Sequence, residues 1–236
     1  MHRHAERNEP VVMEAMEMKK LTGFLLILSS FVLVFFLAIM NPSSVSADSG
    51  GSTADELYRE GTRTVQVGTG MLVSPLFIKT HRRDLDYSMT FVRLGYLLTD
   101  PSEKRFLPRG NFEALAQVSG SLVTDGFGDY MLEYAWLLRY NVVYPDWRVF
   151  PYFQVGAGIL YNDLYKDRTQ DLIGSSVEFT PQGSVGLRWL LGKGWSLDVE
   201  GIYHHISNAG LGDRNVGVNA FGGFIGVTWF FGSSAR

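Results

Sequence analysis

The residues best placed for chemistry are His205 and Ser207, in the run Tyr203-His204-His205-Ile206-Ser207-Asn208-Ala209-Gly210. Two residues apart on an extended strand share one face, about 7 Å apart along the backbone, and a histidine Nε2 can span that gap to a serine Oγ. Such a pair is the reactive core of a serine hydrolase. The imidazole takes the hydroxyl proton as the oxygen attacks an acyl carbon, and a third group holds the ring in the required tautomer. The same spacing also fits an interfacial histidine beside a turn-forming serine, because Ser207, Asn208 and Gly210 are ordinary turn residues. Other chemistries are closed off. With no cysteine there is no thiol nucleophile, no Cys-ligated zinc and no disulfide scaffold. A formal net charge of −3 leaves no basic surplus for nucleic acid. Neither a metal nor a cofactor is expected. The Gly-x-Gly pairs lie in strand-like segments with no helix after them, so they read as packing positions and not as phosphate loops.

The elements that must position His205 and Ser207 are strands. No window holds a 3.6-residue period, whereas period-2 alternation recurs over residues 130–140, 151–161, 176–190, 195–207 and 218–231, and less tidily over 64–70, 86–98 and 111–123. This predicts an all-β fold of eight antiparallel strands. A soluble sandwich buries its apolar parity and exposes the charged one. Here the apolar parities are long, aromatic near the strand ends, and opposed by Glu133, Arg139, Glu178, Arg188, Asp198 and Glu200. That pattern predicts a membrane barrel with apolar residues toward lipid, aromatic girdles, and a polar, self-neutralising interior. Eight strands enclose only enough room for side chains, which excludes a pore. A lipocalin-like carrier would need an apolar interior, against which these charges argue. Counted from Trp195, the odd positions face outward, so His205 and Ser207 lie on the lipid side while His204 points inward with Asp198 and Glu200. In the last strand Asn219 shares the outward parity of Phe221, Ile225, Val227 and Trp229. Polar groups on a lipid face are costly, and the cost falls near an interface.

Ahead of the strands, a charge-free run from Leu21 to Met40 follows Lys19-Lys20 and precedes Asn41-Pro42 and Val45-Ser46-Ala47. This is the pattern of a secretory signal, with cleavage expected after Ala47. A retained membrane anchor is the alternative, since about 20 apolar residues can span a bilayer. The stretch from Met1 to Glu17 has no signal character, so Met16 or Met18 is a candidate start. The expected organisation is a signal peptide with a spurious N-terminal extension over 1–47, a polar periplasmic leader over 48–63 with a Thr53-x-x-Glu56 capping box, and a transmembrane barrel over 64–236.

The run His205-x-Ser207-Asn208-Ala209-Gly210-Leu211, followed by Asn215-x-Gly217, resembles the signature of the outer-membrane lipid A 3-O-deacylase family (PagL type, often labelled acyloxyacyl hydrolase). Phe150-Pro151-Tyr152-Phe153-Gln154-Val155-Gly156-Ala157-Gly158 is similar to that family's fifth strand. The resemblance implies an eight-stranded barrel in the bacterial outer membrane that hydrolyses the ester-linked acyl chain at the 3-position of lipid A. It assigns Ser207 as nucleophile and His205 as base, with backbone amides of Asn208, Ala209 and Gly210 stabilising the oxyanion and Asn215 supporting the same loop. The expected partners are lipopolysaccharide in the outer leaflet and the membrane, with a homodimer allowed. One position departs: Asn219 stands where the family has an acid. An amide holds the imidazole tautomer but offers no full charge to imidazolium. Three outcomes stay open, namely a working Ser-His-Asn site, a weakened one, or a barrel with only structural or surface-interaction duties. Asp213 is the nearby carboxylate, and Glu200 lies on the wrong parity. His81-Arg82-Arg83, Lys166, Arg168 and Arg214 read as solvated loop cations that could also meet lipid A phosphates. N-terminal sequencing of the protein purified from membranes is expected to begin at Asp48-Ser49-Gly50, whereas a start upstream of Leu21 would establish a retained anchor.

Overall fold

The computed structural model describes residues 54–74, 85–103, 106–192 and 194–232. The signal segment, the Thr53 cap and His81-Arg82-Arg83 lie outside the described residues. A short helix α1 (Ala54–Leu57) leads into β1 (Arg63–Val73), β2 (Asp86–Leu97), β3 (Gly110–Asp125), β4 (Tyr130–Val142), β5 (Val149–Asn162), β6 (Val177–Phe179), β7 (Gln182–Gly192), β8 (Trp195–Ile206) and β9 (Val218–Phe231). Neighbouring strands pair antiparallel. β1 meets β9 from Arg63↔Phe231 to Val73↔Phe221, which closes the sheet into a barrel.

β6 and β7 are two halves of one barrel strand, so the closed sheet has the eight staves expected. The alternation over residues 176–190 predicts one unbroken strand, but the ladder is interrupted at Pro181, which has no N–H to donate. The interruption stays local. Gly158 and Thr180 exchange backbone hydrogen bonds of 3.1 and 3.0 Å, and Ile159↔Phe179 and Gly156↔Gln182 keep one register on β5. Across on β8, the His205 N–H donates to the Pro181 carbonyl at 3.1 Å.

The parity reading holds along the strands. Leu94, Val118, Val155, Val185, Leu187, Val199 and Ile225 form an exposed aliphatic band. Tyr96, Trp189, Trp195, Trp229 and Phe231 ring one end, and Tyr161, Phe179, Tyr203 and Phe221 the other. Among the described residues no helix is long and apolar enough to cross a membrane; the strands supply the apolar outer surface.

Inside, the mid-barrel holds three fully buried arginines, each facing a carboxylate. Arg93 binds Glu200 through two bonds of 2.6 and 3.0 Å, Arg139 lies 3.3 Å from Glu113, and Arg188 is 2.6 Å from Asp198 and 3.7 Å from Glu113. Arg93 and Glu113 come from the less regular strands. Glu178, expected among these charges, instead accepts the Ser175 N–H at 2.9 Å and ties down a loop. The interior is not polar throughout. Toward the end where β8 finishes and β9 begins it becomes apolar, packed by Leu72, Met89, Phe91, Ile206, Val218 and Phe224 and sealed by Leu164, Leu172 and Ile173 from the β5–β6 loop. The opposite end is plugged by α1 and Tyr58, whose ring packs against Phe150 and Phe230.

Glu200 also accepts from Tyr152 Oη at 2.8 Å and Gln154 Nε2 at 3.1 Å. Removing one partner of a buried ion pair leaves the other charge stranded, typically at about 3–5 kcal/mol. Glu200→Ala is therefore expected to lose its compact, fast-migrating form in unboiled electrophoresis at a much lower temperature than wild type, and Glu200→Gln at an intermediate one.

Candidate active site

β8 and β9 lie side by side with His205↔Asn219 as a cross-strand pair, both on the outward parity. His205 Nδ1 and Asn219 Oδ1 are 2.7 Å apart. An amide oxygen only accepts, so Nδ1 carries a proton, and in the neutral ring the lone pair is on Nε2. The ring lies over Gly217, where an added Cβ would stand 3.1 Å from His205 Cε1 and where φ is +78°. Glycine there is a steric requirement of the histidine's position. The Tyr203 hydroxyl donates to the same Asn219 Oδ1 at 2.6 Å. By its odd number Tyr203 shares the outward parity of β8, and the sequence marks it no further. The signal that could have singled it out is its diagonal relation to Asn219, within reach of an aromatic side chain across an antiparallel pair.

Ser207 follows β8 and bridges to Phe179, donating its N–H to the Phe179 carbonyl at 3.1 Å and accepting the Phe179 N–H at 2.7 Å. It is half-buried, as His205 is. Among the described residues no hydrogen bond joins Ser207 Oγ to His205. The structure thus brings His205 and Asn219 into contact and sets Ser207 on the same parity beside them.

The loop after Ser207 is held by its own side chains. The Asn208 N–H donates to Asn215 Oδ1 at 2.8 Å, and the Gly210 N–H to Asn208 Oδ1 at 3.0 Å. Between them Ala209 has φ +55°, a left-handed conformation that costs a non-glycine residue about 1 kcal/mol or more and recurs at functional sites. Two of the three amides expected as oxyanion donors are therefore engaged within the loop, and the Ala209 N–H has no acceptor among the described residues. Arg214 is no solvated cation. Its guanidinium donates to the carbonyls of Asp167 at 2.8 Å, Gln170 at 3.1 Å and Tyr165 at 2.7 Å, clasping the 207–217 loop to the β5–β6 loop. Gly217 N–H adds a bond to the Leu172 carbonyl at 3.0 Å. Lys166 stands 4.0 Å from Asp163, and Arg168 and Asp213 are exposed on the loops. Glu200 is inside the barrel with Arg93.

Alongside Tyr203, toward mid-barrel, the outer wall has a groove of about 510 Å³, floored by Gly183 and Gly201 and walled by Val155, Val185, Tyr203 and Phe221. A Cβ on Gly201 would meet nothing within 4 Å, so the space above it is open. Among the described residues no group of three or more His, Asp or Glu side chains is placed to hold a metal ion.

Solved structures similar to this chain include Neisserial surface protein A (TM-score 0.50, 14% identity, covering 73% of this chain and 100% of that one). The outer membrane enzyme PagL (TM-score 0.45, 20% identity) covers 69% of this chain and 97% of that one. The outer membrane protein OprG from Pseudomonas aeruginosa (TM-score 0.43, 15% identity) covers 73% and 97%. The likeness to Neisserial surface protein A bears on the fold alone, that of a closed β-barrel. No curated protein sequence matches the chain. Residues 92–228, which run from β2 to β9 and include His205, Ser207 and Asn219, match the sequence profile described as lipid A 3-O-deacylase (PagL). A match over more than half of the chain, on a closed eight-stranded barrel with an apolar outer wall, makes this protein a member of the lipid A 3-O-deacylase family of the bacterial outer membrane.

Proposed function

We infer that the protein hydrolyses the 3-O-linked acyl ester of lipid A through Ser207, His205 and Asn219. The observation that carries this reading is the 2.7 Å hydrogen bond between His205 Nδ1 and Asn219 Oδ1, which leaves Nε2 as a base on the face it shares with Ser207. Nε2 takes the Ser207 proton as Oγ attacks the ester carbonyl. The Ala209 N–H, which has no acceptor among the described residues, donates to the oxyanion of the tetrahedral intermediate. Collapse of that intermediate breaks the bond to the sugar oxygen, which receives the proton from His205. Water, deprotonated by the same nitrogen, then releases the fatty acid from Ser207. A Ser–His hydrogen bond that is long without substrate and tightens in the complex is common in such sites.

The position suits an insoluble substrate. The three side chains sit at the rim of an apolar wall, where an ester buried at the boundary of the outer leaflet reaches them without leaving the membrane, and the adjoining groove accepts an alkyl chain along the barrel wall. The second reading, a barrel without catalysis, is favoured by one observation, the amide of Asn219 at the acid's position.

Mass spectrometry of lipid A from cells expressing the protein separates the two. Wild type is expected to remove one hydroxyacyl chain. Ser207→Ala and His205→Ala should each lower the rate roughly 10³-fold or more, as losses at a nucleophile or base do. Asn219→Glu should raise it, and unchanged lipid A in every strain would leave the non-catalytic reading. Gly201→Leu, whose side chain enters open space, is expected to fold normally yet cut kcat/KM about tenfold for long-chain esters and little for short ones, on the scale of losing a few buried methylenes.

A further inference from the structure

We propose that Tyr203 is a positioning residue that selects which end of the Asn219 amide faces His205, and thereby lets an amide serve where a carboxylate would need no such help. This rests on the reading of Ser207, His205 and Asn219 given above. A carboxylate has two accepting oxygens, so either one turned toward Nδ1 leaves the proton there. An amide has one accepting end and one donating end of nearly equal shape. With the oxygen inward, Nδ1 is protonated and Nε2 is a base. With the NH2 inward, Nδ1 must accept, the proton moves to Nε2, and the ring presents a donor to Ser207 where a base is needed.

The phenol breaks this near-symmetry. Its hydroxyl lies 2.6 Å from Asn219 Oδ1, the oxygen that also meets His205 Nδ1, so one acceptor serves two donors. Turning the amide over would leave the phenol proton without that acceptor. Among the described residues the hydroxyl makes no other hydrogen bond, so the turned amide would leave its proton without a protein partner. The ring is itself held, at 5.0 Å from the Phe221 ring on the neighbouring strand. Tyr203 and Phe221 are cross-strand partners next to His205 and Asn219, so the hydroxyl reaches its target diagonally along a fixed register.

The test is a double-mutant cycle on the full chain in lipid A-containing vesicles, together with ¹⁵N NMR of histidine-labelled protein in alkaline buffer, where the tautomer of His205 is read directly and assigned by loss of its signals in His205→Gln. Tyr203→Phe keeps the ring and removes only the hydroxyl. In the native background it should lower kcat roughly 5- to 10-fold, the worth of one hydrogen bond, with KM unchanged, and should raise the fraction of His205 protonated on Nε2. In the Asn219→Asp background the same change should leave both kcat and the tautomer where they were. An equal loss of kcat in both backgrounds, or a His205 tautomer that ignores Tyr203→Phe, overturns the proposal. If the tautomer responds as stated while no variant or wild type releases acyl chains, the role of Tyr203 stands and the hydrolase reading falls.

Discussion

A chain crossing a bilayer has no water to satisfy its backbone, so every N–H and C=O at that depth needs a partner within the protein. Here the β1–β9 ladder answers that demand by joining the first and last strands and removing both sheet edges. Closure then governs the rest. Once the sheet is a tube, successive side chains point alternately in and out along each ladder, save at the register shifts by Asp86 and Leu190. The outward set must suit lipid, and the inward set must fill a space only one side chain wide from each wall. Arg93, Arg139 and Arg188 are tolerated inside because carboxylates from other strands meet them at bonding distance.

The same rule makes the outward polar cluster conspicuous. Tyr203, His205, Ser207 and Asn219 occupy positions where apolar residues are cheapest, and Asn219 Oδ1 ties the Tyr203 hydroxyl and His205 Nδ1 together. The rim supports them through a chain of contacts: the Arg214 guanidinium grips the β5–β6 loop, Asn215 holds the Asn208 amide, and Gly217 leaves room for the imidazole. The apolar packing beneath, from Ile206 and Val218 inward, gives that rim a rigid base. The proposed site thus sits on the outside of the barrel, and the interior serves as scaffold.

Much of the architecture could be read from alternation alone. The inward and outward assignment of His204, His205, Ser207 and Asn219 follows from counting along two strands, and the number of staves follows from counting windows. What escaped was of two kinds. Arg93 and Glu113 lie on strands whose alternation is blurred by inward apolar residues such as Met89 and Phe91, which belong to the apolar half of the interior. In the sequence Tyr203 is one more residue of the outward parity and Arg214 one more loop cation, because what sets each apart is a bond to a residue distant in sequence or to a backbone carbonyl.

The sequence by itself determined the faces, since a strand's period of two assigns each side chain a side whatever its neighbours are. It also determined the residue types that can transfer a proton, and the amide of Asn219 on their face of the sheet. Only the tertiary structure decided which of these atoms meet. The register of β8 on β9 is set by closure of the whole barrel and by the clasp between two loops, so the contacts of Asn219 with both His205 and Tyr203 depend on pairings spread over the entire chain. The protonation geometry of His205 depends on that register in turn, because a slip of one residue would carry Asn219 to the other face of the sheet.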